Sequence, residues 1–109
     1  MATPDSPPPG SGATESASAA DAIRRTVTIV NQKGLHARAA ARFVKLAATF
    51  DAAVTVTKKD STVSGVSIMG LMMLAASPGC QIDIRATGRE AGRAADALAA
   101  LVSAGFDES

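Results

Sequence analysis

The sequence predicts an α+β fold, an open-faced β-sandwich in which a four-stranded antiparallel sheet is covered on one face by three helices. Two observations predict this fold. Strand-like alternation and helical periodicity succeed one another from residue 23 onward in the order β-α-β-β-α-β-α. Each helical segment also carries one apolar stripe, and a single sheet with all its helices on one face gives every stripe a partner.

The first 22 residues differ in composition from the rest of the chain. Residues 1–22 are mostly Pro, Ser, Ala, Gly and Thr, and they hold four of the five prolines. Such a segment buries too little apolar surface to offset the entropy lost on ordering. We therefore expect a disordered and passive N-terminal tail over residues 1–22, with a regulatory role left open, and one domain over residues 23–109.

Two changes of periodicity predict the first strand and the first helix. Residues 26–30 alternate, with Val27 and Ile29 on one face, which indicates a strand. Residues 31–34 form a loop, and a helix is expected to begin near Ala37 in a good helix-forming stretch. The apolar residues that recur at helical spacing are Ala40, Phe43, Val44, Ala47 and Phe50.

The middle of the chain predicts a hairpin followed by a short helix. Residues 53–57 alternate, residues 58–60 turn the chain, and residues 61–64 return as a weak strand. Residues 68–75 then predict a short apolar helix, which the Ser-Pro-Gly segment at residues 77–79 closes.

One further strand and one further helix complete the fold. Residues 81–86 alternate, with Ile82 and Ile84 facing inward. Gly105 is expected to end the last helix, because glycine readily adopts the left-handed conformation that follows a helix. The apolar stripe of that helix comprises Ala91, Ala94, Ala95, Leu98, Leu101 and Val102.

Composition excludes several classes of function. The formal net charge is +1 and the chain has no Trp or Tyr, which argues against a nucleic-acid binder. Cys80 is the only cysteine, so neither an internal disulfide nor a cysteine zinc site is possible. No apolar run approaches the roughly 20 residues of a membrane span, and no secretory signal is recognisable. We expect a cytoplasmic protein without membrane insertion, metal or cofactor.

Charge is unevenly distributed along the chain. Residues 24–50 contain six basic residues and no acidic residue. A solvated face is one interpretation of this bias, and a site for an anion is the other. The six basic residues are Arg24, Arg25, Lys33, Arg38, Arg42 and Lys45.

His36 is the candidate for chemistry, because it falls at or beside the N-cap of the first predicted helix. A helix start without a good capping residue leaves first-turn N–H groups unsatisfied at the positive end of the helix dipole. Those N–H groups favour an anion, and a neutral imidazole offers a nucleophilic lone pair at physiological pH. Arg38 adds charge-assisted hydrogen bonds, and Gly34 permits a tight loop. The alternative is a lone loop histidine without a chemical role.

The segment Gly34-Leu35-His36-Ala37-Arg38, the helix after it, and Ser67-Ile68-Met69-Gly70 resemble HPr. This family comprises the histidine-containing phosphocarriers of the phosphoenolpyruvate-dependent phosphotransferase system, which serves sugar uptake. The resemblance covers about residues 24–105 and implies a cytoplasmic, monomeric, stoichiometric carrier rather than an enzyme. It implies that enzyme I phosphorylates the pros nitrogen, Nδ1, of the histidine, and that enzyme IIA domains then take the phosphoryl group.

The resemblance also implies roles for individual residues. Carried over by position, it makes His36 the phosphorylated histidine, with Gly34, Ala37 and Arg38 around the phosphoryl group. Ser67 matches the regulatory serine that an HPr kinase/phosphorylase phosphorylates in some bacteria. The implied partner-docking residues are Ala37, Arg38, Ala41, Ile68, Met69, Met72 and Met73.

Several alternatives remain beside these implied roles. Ser67 precedes a predicted helix, so an N-cap is its ordinary role, and the two roles are compatible. Methionine stripes most often fill cores, with Ile68 and Leu74 as the better core candidates in this helix. The family usually has proline after the arginine, where this chain has Ala39, which adds a donor and some freedom.

Two other functions compete with the carrier. A regulatory binding module of a nitrogen- or carbon-control phosphotransferase branch is the first, with Ser67 as its switch. A small hydrolase that uses His36 is the second, and the absence of a second titratable group nearby in sequence disfavours it.

Overall fold

The computed structural model describes residues 22–107, and it contains the predicted elements in the predicted order. The strands are β1 (Ile23–Thr28), β2 (Ala53–Lys58), β3 (Ser61–Ser64) and β4 (Gln81–Thr87). The helices are α1 (Ala37–Ala47), α2 (Ile68–Met73) and α3 (Ala91–Ser103), and a short 3-10 turn spans Gly105–Asp107. The α+β class is confirmed. The predicted tail lies mostly outside the described residues.

The four strands form one antiparallel sheet in the order β1-β4-β2-β3. Directly opposed residues in such a sheet point to the same face. The register therefore places Val27 opposite Ile82 and Val56 opposite Ile84 on the inner face. The other face carries polar residues such as Thr26 opposite Asp83, so the sheet is open on that side.

The helices bury their apolar stripes against the inner face of the sheet. Phe43 of α1, Leu71 of α2 and Leu98 of α3 are fully buried in one core with Ile84 of the central strand β4. Removing these side chains from water supplies the main force that holds helices and sheet together. Phe106 of the 3-10 turn joins the same core, so the end of the described chain is anchored beside α1 and α3.

The first strand differs from its predicted bounds of residues 26–30, because it begins at Ile23 and ends at Thr28. Pattern alone missed the start because Arg24-Arg25-Thr26 shows no apolar alternation. Arg25 lies opposite Ile84, and its guanidinium Nε reaches Asp96 of α3 at 2.9 Å. A long side chain with a partner at its tip thus occupies a position where pattern analysis expects an apolar residue.

The second helix ends earlier than predicted, at Met73 instead of residue 75. Ala75 adopts a left-handed conformation with φ of 52° and cannot continue the helix. Lys58 of β2 satisfies the end of the helix, because its Nζ donates to the carbonyl oxygens of Leu74 at 3.1 Å and Ala75 at 3.2 Å.

Candidate functional site

His36 is the N-cap residue of α1, as its position in the sequence predicted. Its backbone is extended, with φ of −81° and ψ of −178°, and its side chain forms no capping hydrogen bond. The first helical hydrogen bond runs from the N–H of Ala40 to the carbonyl of His36, at 2.8 Å. The N–H groups of residues 37–39 therefore precede the helical ladder at the start of α1, directly after His36, which is itself half-buried.

A tight loop before His36 fixes where the imidazole stands. Gly34 has a φ of +64°, and a Cβ atom there would lie 2.4 Å from the carbonyl oxygen of Ala76. The next residue, Leu35, is buried and donates its N–H to the same oxygen at 2.9 Å. The loop is thus pressed against the segment that follows α2, and only glycine fits at this approach.

Asn31 is a supporting residue that the sequence analysis missed. It is buried at 7% exposure, its Nδ2 donates to the carbonyl of Gly34 at 2.8 Å, and its own carbonyl accepts from the Gly34 N–H at 3.1 Å. These two bonds close the turn that delivers His36. An asparagine three residues before a glycine is a known turn signal and is the only clue that the sequence offers.

The basic residues around the site divide into two groups. Arg24 and Arg25 lie on β1 and form salt bridges with Asp83 and Asp96, both at 2.9 Å, so they do not contribute to the site. Within residues 22–107, Lys33, Arg38 and Lys45 are exposed and form no salt bridge. Lys33 and Arg38, which lie three residues before and two residues after His36, therefore carry charge that is not already paired, whereas Lys45 lies in the last turn of α1.

Arg42 faces the C-terminal turn rather than the candidate site. Its Nη1 donates to the carbonyl oxygen of Phe106 at 2.8 Å. Phe106 is buried and holds a left-handed conformation with φ of 58°. The arginine thus fixes a strained turn to α1.

Ser67 is the N-cap of α2, as predicted. Its backbone is extended, with φ of −111° and ψ of 108°, and its Oγ accepts from the N–H of Gly70 at 3.0 Å. Its side chain is half-buried, and α2 packs beside α1, which begins at His36. The serine hydroxyl is therefore used in capping while it stays partly accessible to solvent.

The surface of α2 corrects part of the sequence analysis. Ile68 is 40% exposed and is not a core residue, and the three methionines are not core either, with Met69 at 72% and Met73 at 79% exposure. Leu71 is the fully buried residue of this helix, and Leu74 is buried as predicted. A helix of six residues beside a sheet presents only a narrow stripe to the core, so most of its apolar residues face solvent.

The exposed apolar residues of α2, together with Val66 just before it, form a patch that we name the α2 patch. Val66 is 55% exposed, and the sequence analysis did not single it out. On α1, Ala37, Arg38 and Ala41 are exposed as well, whereas Ala39 and Ala40 are buried. The members of the α2 patch are Val66, Ile68, Met69, Met72 and Met73.

Two groups with shifted pKa values lie on or directly before β4 and not at the site. The Thr26 hydroxyl, with help from Arg24, lowers the pKa of the Asp83 carboxyl, and the hydroxyl donates to Asp83 Oδ1 at 2.6 Å. The Ser77 side chain, 3.4 Å from the Cys80 sulfur, lowers the pKa of that thiol. Neither shift involves the imidazole.

Residues 22–107 contain no group of three or more His, Cys, Asp and Glu side chains placed to hold a metal ion. Over the same residues, no helix is long and apolar enough to cross a membrane.

Known proteins match both the sequence and the fold. The family model described as "PTS HPr component phosphorylation site" matches residues 23–104. The phosphocarrier protein HPr of Neisseria meningitidis serogroup B is 44% identical over 86 residues, which cover 79% of this chain and 97% of that protein. The phosphocarrier protein NPr of Shewanella violacea is 44% identical over 87 residues, covering 80% of this chain and 96% of that protein.

Solved structures agree with these sequence matches. HPr-C-His from Thermoanaerobacter tengcongensis has a TM-score of 0.76 and 38% identity, covering 80% of this chain and 98% of that one. HPr from Bacillus anthracis has a TM-score of 0.72 and 41% identity, and the match covers 74% of this chain and 96% of that one. Fold and matched region together define a small phosphocarrier domain. The chain belongs to the HPr family of the phosphotransferase system.

Proposed function

We propose that this phosphocarrier receives a phosphoryl group from enzyme I on Nδ1 of His36 and donates it to enzyme IIA domains. The observation that carries the proposal is the imidazole at an N-cap that no side chain caps, in a chain of the HPr family. First-turn N–H groups and the helix dipole favour the negative charge that the transferred group brings.

The transfer is a direct displacement between two imidazoles. The Nδ1 lone pair of His36 attacks the phosphorus of the enzyme I phosphohistidine, and the donor's P–N bond breaks as the new P–N bond forms. The bonding electron pair returns to the donor nitrogen. Exposed Arg38 and the N–H groups of Ala37 and Arg38 stabilise the charge on the phosphoryl oxygens, and Gly34 lets the loop hold the imidazole there.

Partners dock on the exposed surface beside His36. Helix α1 begins next to His36 and carries exposed Ala37, Arg38 and Ala41, and it packs against α2, which carries the α2 patch. Flexible methionine side chains adapt to differently shaped partners, which a carrier needs because it binds donor and acceptors in turn. We propose that the chain works as a cytoplasmic monomer and that catalysis is shared with these partners.

Ser67 is the proposed regulatory site, with an HPr kinase/phosphorylase as the enzyme that modifies it. A phosphoryl group there adds about −1.5 to −2 charges at the start of α2. The unpaired basic residues near His36 suit an acidic partner, and such a partner is repelled by a new anion on the same surface. If Ser67→Asp leaves the rate of phosphotransfer from enzyme I unchanged, this regulatory proposal fails.

A second candidate is a regulatory module of a nitrogen- or carbon-control branch, in which transfer to sugar systems is secondary. Relatives named NPr favour it, with 44% identity for the Shewanella violacea protein. The two candidates differ in the acceptor. Incubation of the phosphorylated chain with purified IIA domains of the sugar and nitrogen types, followed by measurement of phosphoryl loss, distinguishes them.

The test of the carrier proposal is labelling with radioactive phosphoenolpyruvate and purified enzyme I. We expect acid-labile, alkali-stable phosphate on the wild type and on Ser67→Ala, and none on His36→Ala. Folding of each variant is checked by circular dichroism. Equal labelling of wild type and His36→Ala would refute the proposal, as would a failure to label the wild type while a known HPr is labelled in parallel.

A further inference from the structure

The residues that follow α2 form the surface against which the loop before His36 is built. The carbonyl oxygen of Ala76 lies against Gly34 and accepts from the N–H of Leu35 at 2.9 Å. Ala76 is 3% exposed, so this contact is covered from water. A rotation of the Ala76 carbonyl would therefore move the loop, and with it the imidazole that the loop delivers.

The residue just before Ala76 is held in a conformation that alanine disfavours. Ala75 has a φ of 52°, in the left-handed region that residues with a Cβ atom rarely adopt. Glycine is the usual residue where a chain leaves a helix in this conformation. Without a restraint, Ala75 would relax to a right-handed or extended conformation and rotate the Ala76 carbonyl away from the loop.

Lys58, at the end of β2, supplies such a restraint. Its Nζ donates to the carbonyl oxygens of Leu74 at 3.1 Å and Ala75 at 3.2 Å. These two oxygens belong to the peptide groups on either side of Ala75, so one ammonium group fixes the orientation of both. Because the donor is charged, each bond is stronger than a bond between neutral groups.

We infer that Lys58 is a positioning residue for phosphoryl transfer at His36. It holds Ala75 in the left-handed conformation, which fixes the Ala76 carbonyl, and that carbonyl fixes the loop that ends at His36. This inference rests on the proposed phosphorylation of His36. It adds a residue outside the proposed phosphoryl-binding and docking residues, and the sequence analysis assigned Lys58 only to the turn between β2 and β3.

The test compares Lys58→Met with a matched control at the next residue. Lys58→Met removes the donors and keeps an unbranched side chain, while Lys59→Met removes the same charge from an exposed lysine that does not bond to residues 74–76. The kinetics of transfer from enzyme I are measured with the chain as the varied substrate and phosphoenolpyruvate in excess. We expect Lys58→Met to lower kcat by about 10-fold and to leave KM within about 2-fold, because the imidazole is misplaced while docking is kept. Lys59→Met should keep both constants within about 2-fold of the wild type.

A second substitution separates positioning from a general loss of stability. Glycine adopts a positive φ as readily as a negative one, so Ala75→Gly removes the strain that Lys58 offsets. In the Lys58→Met background, we expect Ala75→Gly to restore kcat to within about 3-fold of the wild type. A variant that slowed transfer by loosening the whole fold would not be rescued at this one position.

Hydrogen exchange of the Leu35 amide measures the same link without any partner protein. In Lys58→Met we expect this amide to exchange about 10-fold faster, because its acceptor on Ala76 is no longer held in place. The Ile29 amide, which donates to the Cys80 carbonyl at 2.8 Å, should keep its wild-type rate and serves as the internal control.

The inference alone is overturned if enzyme I phosphorylates the wild type on His36 while Lys58→Met keeps the wild-type kcat or the wild-type exchange rate of Leu35. Failure of Ala75→Gly to restore kcat overturns it as well. A wild type that enzyme I does not phosphorylate would overturn the proposed function, and this inference with it. Circular dichroism establishes that each variant is folded. Were Lys58→Met unfolded, Lys58→Gln, whose shorter side chain cannot reach both oxygens, takes its place with the same expected results.

Discussion

Gly34→Ala tests the claim that the loop before His36 is built around a backbone contact. The glycine has a φ of +64°, and an added Cβ would lie 2.4 Å from the Ala76 carbonyl oxygen and 3.1 Å from the Ser77 Cα. Both neighbours are backbone atoms, so neither can rotate away as a side chain can. The loop must therefore move, and the hydrogen bond from the Leu35 N–H to Ala76 must lengthen or break.

Three costs determine how far Gly34→Ala lowers the free energy of unfolding. A left-handed backbone costs an alanine about 1–2 kcal/mol, overpacking adds about 1–3 kcal/mol, and a weakened hydrogen bond adds about 1 kcal/mol. Because relaxation relieves part of each cost, we expect the free energy of unfolding to fall by about 3 kcal/mol. In a domain of this size that lowers the melting temperature by roughly 12–24 °C.

Two other glycines provide matched controls. Gly79 also has a positive φ, of +92°, but an added Cβ meets nothing within 4 Å, so Gly79→Ala carries the backbone strain alone. Gly92 lies in α3 with open space around an added Cβ, and Gly92→Ala should stabilise the chain by about 0.5–1 kcal/mol. We expect the order Gly92→Ala, wild type, Gly79→Ala, Gly34→Ala from most to least stable.

The assay is urea unfolding followed by circular dichroism, together with the rate of phosphorylation by enzyme I. Gly34→Ala should be phosphorylated more slowly even where it remains folded, because the moved loop displaces the imidazole. A Gly34→Ala variant as stable as Gly79→Ala, or one with wild-type phosphorylation kinetics, would refute the proposed role of the close contact.

Three further outcomes are expected from the same unfolding assay. Ser67→Ala should lower the free energy of unfolding by about 1 kcal/mol, because it removes the cap of α2; no loss would mean that the cap is not formed. Arg42→Met should lower the free energy of unfolding by about 1 kcal/mol, because the hydrogen bond to the Phe106 carbonyl is lost. Arg42→Lys is the control variant that keeps the positive charge. The pKa of Asp83 is lower in the folded protein than in the unfolded chain, so its carboxylate stabilises the fold. This contribution to the free energy of unfolding is fully present above about pH 4 and is lost as the pH falls through the folded-state pKa. Thr26→Val removes the main cause of that shift and should shrink this acid loss, so an unchanged pH profile would contradict the assignment.

The sequence pattern predicted those features of the fold that residues close together in the sequence determine. The start of α1 at Ala37 follows from apolar periodicity, and the Ser67 cap follows from the preference of serine for that position. The sheet and its helical cover follow from the same periodicity, since every apolar stripe must be buried. The position of His36 could therefore be predicted from neighbouring residues alone.

Features whose cause is distant in sequence could not be predicted. Asn31 and Gly34 form a turn against Ala76, and no local pattern reports a contact between segments so far apart. The start of β1 was missed because the partner of Arg25 is Asp96 on the last helix. Ile68 was assigned to the core from its residue type, although packing leaves it exposed.

The central claim is most directly tested at the ring of the one histidine in the chain. Selective isotope labelling of histidine reports only two ring nitrogens, so a nitrogen–phosphorus coupling identifies the bonded atom without ambiguity. After reaction with phosphoenolpyruvate and enzyme I, the account predicts this coupling on Nδ1 of His36. Coupling on Nε2 instead, or phosphate incorporated without any coupling to the ring, would contradict it.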